Sequence, residues 1–145
     1  MLLFEMIDHI TRELTGSGIA PQESYAMARM LLAHKLAIEL PQLPFHHHAK
    51  IDLSDISAEL ARLKSGEPLQ YVTGETEFMG LPICCAPTAL IPRGDSEAIA
   101  ETAVSLMRNL PAPRIADICT GSGAFALALA HLLPQARIWA VDISP

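Results

Sequence analysis

The sequence is short of the features that mark several common functions. Lys and Arg together number 10 against 16 Asp and Glu, giving a net charge of −6 and a pI near 5.4. The basic residues are scattered. A nucleic-acid footprint needs a clustered basic patch, so no direct nucleic-acid partner is expected. There are 3 cysteines, Cys84, Cys85 and Cys119. That odd, partly adjacent set has neither disulfide-framework nor zinc spacing, which predicts buried reduced thiols and no metal site. No apolar run approaches the roughly 20 residues of a membrane span, and Glu5 and Asp8 interrupt the apolar start. The expectation is a cytoplasmic protein without a membrane partner, and a monomer.

What is present is core material. Half of the 145 residues are hydrophobic, only 18% are charged, and the mean hydropathy is +0.29. Such a chain has no disorder signature and makes one domain, or a small domain plus part of another.

Periodicity divides it. Residues 2–14 carry Leu3, Met6 or Ile7, Ile10 and Leu14 at three-and-four spacing, the pattern of a helix with one buried stripe. Pro21 opens a second helix whose face runs through Tyr25, Ala28, Leu32 and Leu36, and Pro41 and Pro44 break it. Asp52 or Ser54 caps a third, carrying Ile56, Leu60 and Leu63 inward and ending at Gly66. The predicted organisation is a helical domain over 1–70, a β-hairpin linker over 71–88, and an α/β segment over 89–145. The hairpin is placed at 76–85, with Gly80-Leu81 as a type II′ turn. Asp95 is expected to cap a helix from Ser96 to Asn109, with Ile99, Ala103, Leu106 and Leu110 facing a core. "RIADI" reads as a buried strand, 123–133 as an apolar helix and "RIWAVDI" as a second strand, together one βαβ unit. His46, His47 and His48 are adjacent in a proline-bounded loop, and adjacent side chains do not converge on one ion unaided.

The stretch "DICTGSGAFALALA", 117–130, carries the candidate chemistry. Gly121 and Gly123 let backbone approach a ligand, and the helix after them offers free N–H groups. Asp142 follows Gly123 by 19 residues, at the end of the next strand, where a carboxylate can accept ribose hydroxyls. Two cofactors fit this spacing. Gly121, Gly123 and Ala126 satisfy the G-x-G-x-x-A dinucleotide pattern, which keeps an NAD-dependent oxidoreductase open. Asp117 at the turn's mouth would repel a pyrophosphate but pair with the cationic end of S-adenosylmethionine.

Four segments in order, "GEPLQYVTGETEFMGLPI" (66–83), "LIPRGDSE" (90–97), "ADICTGSGA" (116–124) and "VDIS" (141–144), resemble the release-factor glutamine methyltransferases, the HemK/PrmC family. The resemblance implies a Rossmann-like class I methyltransferase, here only its first βαβ unit, preceded by a helical domain that helps bind the substrate. The implied reaction is methylation, from S-adenosylmethionine, of the glutamine side-chain amide in the Gly-Gly-Gln motif of peptide-chain release factors. By the same resemblance Asp117, Cys119, Thr120, Gly121 and Gly123 wrap the methionine part of the cofactor. Asp142 holds the ribose, Ile143 borders the adenine, and Arg93 and Glu97 shape the active-site wall.

The sequence departs from that family's pattern in three places. Cys119 stands where the first glycine is usual, as in the related enzymes that modify ribosomal protein L3. Gly94 and Ser96 stand for a proline and a threonine. The family's Asn-Pro-Pro-Tyr loop, which would accept the amide N–H bonds and aim the nitrogen at the methyl group, does not occur. No catalytic residue is therefore assigned, and the 145-residue chain alone is expected to be inactive. A third reading is a short, non-catalytic binding module.

Overall fold

A computed structural model describes residues 1–144; Pro145, the end of the predicted 89–145 segment, lies outside the described residues. The chain separates into two compact units, residues 1–73 and 74–145.

The first unit is helical. Helix α1 (Leu3–Gly16) buries Leu3, Met6, Ile10 and Leu14, the stripe its periodicity predicts. Glu5 accepts a 2.8 Å hydrogen bond from the Leu2 amide at its N-terminus. Met1 and Ile51 exchange hydrogen bonds of 2.8 and 3.0 Å, tying the chain start to the middle of the unit. Helix α2 (Pro21–Lys35) opens on Pro21 as expected, but its buried face is Ser24, Ala28, Leu31, Leu32 and Ala33. Tyr25 is 50% exposed, with the Arg29 guanidinium 5.6 Å from its ring centroid. Small Ser24 and Ala28 allow close helix approach where a tyrosine would not fit.

The proline-rich bend forms 3-10 turns over Leu40–His46, with Leu43 buried. The predicted third helix is split: Asp52 caps a 3-10 turn at Leu53–Asp55, and α3 (Ser57–Lys64) follows. Its inward residues Ile56, Leu60 and Leu63 are as expected. A fourth short helix, α4 (Leu69–Thr73), was not expected. Arg62 supplies what five residues lack: its guanidinium donates to the Tyr71 and Val72 carbonyls at 2.9 and 3.4 Å while paired with Glu67. That satisfies two of the C-terminal carbonyls a helix leaves open. Apart from the turn at Leu53–Asp55, these elements share one core of fifteen buried residues.

The second unit begins with an antiparallel hairpin, β1 (Glu75–Phe78) and β2 (Leu81–Cys84). Phe78 pairs with Leu81, so the loop is Met79-Gly80, one residue earlier than predicted. Both loop residues have positive φ, 52° and 75°. That is the type I′ arrangement, whose twist matches the strands, in place of the predicted II′. Helix α5 (Asp95–Met107) includes Asp95 in its first turn, and no side chain caps it. Its buried residues are Ala100 and Val104, whereas Ile99, Leu106 and Leu110, predicted to face a core, are exposed. Both faces of α5 are apolar, and periodicity does not choose between two apolar faces.

Strands β3 (Arg114–Ile118) and β4 (Arg137–Val141) pair in parallel, joined through α6 (Ala124–Leu132). Ile115 and Ile138 pack with Val104 of α5 and Leu129 of α6. The opposite sheet face is open: Ile118, Trp139 and Val141 are 65%, 46% and 50% exposed. The expected buried strand is thus not buried: Ile115 and Asp117 on one face of β3 are half-buried, and Arg114, Ala116 and Ile118 on the other are exposed. The cysteines also differ from expectation, since Cys84 and Cys119 are exposed and only Cys85 is buried; its burial, with Cys84 beside it, pushes the thiol pKa up.

Candidate functional site

The loop from β3 to α6 is held to the end of β4. The Val141 carbonyl accepts from the amides of Cys119 (2.8 Å) and Thr120 (3.1 Å). The Asp142 carboxylate accepts from the Gly121 amide at 2.8 Å and the Ser144 amide at 2.9 Å. These backbone donors, Ser144 first, hold the Asp142 carboxyl below its usual range. Three consecutive turn amides therefore point at β4.

Every second residue here has positive φ: Cys119 65°, Gly121 55° and Gly123 77°. Glycine adopts this region freely, and an L-residue does so at roughly 1–2 kcal/mol. A Cβ on Gly121 would meet nothing within 4 Å, so conformation and not crowding favours glycine there. Cys119 carries the same conformation with a side chain.

Beside this turn lies a cleft of about 340 Å³. Phe78, Leu90, Ile91, Pro92 and Phe125 give it apolar walls; Arg93, Ser96, Asp117, Cys119, Thr120, Gly121 and Ser122 add polar ones. Its volume is at the small end for ligand pockets, about 300–1,000 Å³. Asp117 is half-buried, and one of its oxygens accepts from the Thr120 hydroxyl at 2.6 Å. Among the described residues its other oxygen has no hydrogen-bond partner, so it can face a cationic group.

Of the residues predicted for the site, Asp117, Cys119, Thr120, Gly121 and Arg93 line the cleft. Gly123 lies just behind it as the residue before α6. Asp142 is one hydrogen bond from the wall, through Gly121, and does not line it. Ile143 is fully exposed and outside it. Glu97 is also outside: its carboxylate accepts from the Met79 amide at 2.8 Å, and no ion pair joins it to Arg93. The apolar wall was missed by reasoning from charged and glycine residues. Its signal was the alternation in "TEF", which sets Phe78 opposite in facing to Glu77.

Among the described residues no group of three His, Cys, Asp or Glu could hold a metal. Among the described residues no helix is long and apolar enough to cross a membrane.

The second unit is thus of the α/β class, a parallel β-α-β unit with a glycine turn and a cleft at the carboxyl end of its first strand, where open α/β sheets commonly place their ligand sites. Sequence comparison makes this more particular. Residues 5–74 match the PrmC N-terminal domain. Over its whole length the chain is 36% identical to a release factor glutamine methyltransferase of Moorella thermoacetica, covering 52% of that protein. It is 33% identical to the enzyme of that name from Deinococcus radiodurans, again covering all of this chain and 52% of the relative. The Escherichia coli enzyme is 44% identical over 90 residues, 62% of this chain and 32% of the relative. The chain belongs to the HemK/PrmC family. It spans about half the length of the curated relatives it matches.

Proposed function

We infer that residues 89–145, which follow a β-hairpin linker at 71–88, are the first part of a Rossmann-like, S-adenosylmethionine-dependent methyltransferase domain. Residues 1–70 would then serve as its substrate-recognition domain, and the whole protein would methylate the glutamine amide of the Gly-Gly-Gln motif in peptide-chain release factors. The observation that carries this reading is the cleft at the end of β3, with a half-buried carboxylate, an apolar wall and a left-handed turn together. The relatives cited bear the name release factor glutamine methyltransferase, which favours this cofactor over NAD and this substrate over a ribosomal protein.

The residues fit the cofactor unevenly. Asp117 is suited to the amino group of its methionine part, with Thr120 holding the carboxylate in place. Phe78, Leu90 and Phe125 give the same cleft an apolar surface. Asp142 uses both oxygens on backbone amides, so ribose hydroxyls would take its remaining lone pairs while the carboxylate also fixes the turn. When bound, the cofactor supplies an electrophilic methyl group.

The open sheet face supports the view that this unit belongs to a larger sheet, because parallel strands are ordinarily covered on both sides. The chain contains no Asn-Pro-Pro-Tyr to orient an amide nitrogen, and alone it should transfer no methyl group to a release factor.

An amide-detected NMR titration with S-adenosylhomocysteine tests the cofactor assignment. Shifts are expected at Asp117, Gly121 and Gly123. Unmoved resonances at millimolar ligand, or the same shifts produced by NAD instead, would overturn it.

A further inference from the structure

Glu97 lies in the segment whose resemblance assigns it to the active-site wall, yet it does not line the cleft. Its carboxylate, half-buried in the first turn of α5, accepts from the amide of Met79 at 2.8 Å. Met79 is the first loop residue of the hairpin and adopts φ 52°, a conformation unfavourable for a side-chain-bearing residue. A two-residue hairpin loop makes no use of that amide in its own ladder, so an acceptor from elsewhere must hold it if it is to be held at all. Next to Met79 is Phe78, which is 2% exposed, packs with Ile83, Ala100, Ala124 and Ala128, and forms part of the cleft wall.

We propose that Glu97 is a positioning residue: it clamps the Met79 amide, holds the hairpin loop in its left-handed conformation, and so fixes Phe78 as a wall of the cleft. A carboxylate makes a stronger acceptor than a neutral group. Glu97 then acts on any ligand through the hairpin rather than by touch. The proposal rests on the cofactor reading only for what the cleft binds; the clamp itself stands on the hairpin geometry.

The test uses three variants of the 145-residue chain, read by amide hydrogen exchange and by the Phe78 ring resonances. In Glu97→Ala, exchange at Met79 should accelerate by about tenfold or more and the Phe78 ring signals should move, the loss expected for one charge-assisted hydrogen bond. Glu97→Gln keeps an acceptor and should retain most of the protection. Adding Met79→Gly to Glu97→Ala restores the loop's preference for positive φ and should return Phe78 towards its original signals. A group that touches ligand directly could not be rescued from the hairpin. Met79 exchange unchanged in Glu97→Ala, or no recovery of Phe78 on adding Met79→Gly, overturns the proposal. S-adenosylhomocysteine titrated into the unaltered chain reports separately: no binding there removes the cofactor reading and leaves the clamp, which these variants judge alone.

Discussion

The two units are almost equal in length and spend their hydrophobic residues differently. In residues 1–73 the helices close around one cluster of fifteen buried side chains. In residues 74–145 burial is divided between a cluster of five and one of three, while Ile99, Leu106, Ile118, Trp139 and Val141 stay exposed. Composition does not separate them; topology does. A helix needs only one apolar stripe covered, and short helices packed on each other cover all their stripes. A parallel sheet has two faces to cover, and α5 and α6 supply apolar contacts to one. The first unit is organised around its core, and the second around a cleft.

Core truncation should break this contrast most sharply. Ile10→Ala, at a fully buried position of α1, is expected to cost about 2–5 kcal/mol in denaturant unfolding. A loss below about 1 kcal/mol would mean that the helical core is looser than its burial indicates.

Backbone conformation gives the next largest effect, and it appears in both units. Gly123→Ala should destabilise by about 1–2 kcal/mol through its positive φ. In the opposite direction, Ala37→Gly after α2 and Cys119→Gly beside the cleft should each stabilise by about 0.5–1 kcal/mol, since both native residues have positive φ. Thermal denaturation measures all three. Of the two substitutions to glycine, only Cys119→Gly should also alter S-adenosylhomocysteine affinity; an equal change from Ala37→Gly would separate the binding from the turn.

Leu106→Ala, on the bare face of α5 at 75% exposure, should change stability by less than about 0.5 kcal/mol. A cost comparable with Ile10→Ala would show that this face is covered in solution.

Acid should produce the smallest and most diffuse effect. Hydrogen bonds from Lys64, Lys35 and Arg62 lower the pKa of Glu13, Glu59 and Glu67 in the first unit, and backbone amides lower that of Asp142 in the second. A lowered native pKa stabilises the fold above the unfolded carboxylate range and is lost as pH falls through the native value. The urea midpoint should therefore hold from neutrality to about pH 5 and decline below about pH 4. A midpoint that rises on acidification would contradict that sign.

Local rules were enough for much of the molecule. Leu3, Met6, Ile10 and Leu14 identify the buried stripe of α1 because 3.6 residues per turn stack them on one side. Gly121 and Gly123 identify the turn because few other residues accept positive φ. Asp142 was legible as a residue brought back towards that turn, since a parallel crossover returns the second strand beside the first. Contacts distant in sequence decided the rest. The buried side of α5 depends on what packs against it, the shift of the hairpin loop to Met79-Gly80 on strand pairing, and the tether between Glu97 and Met79 on 18 residues of intervening chain. Periodicity and φ preference are properties of a residue and its neighbours, so the sequence determined them. Which apolar face is covered, and which carboxylate meets which amide, are properties of packing, and only the tertiary structure decided those.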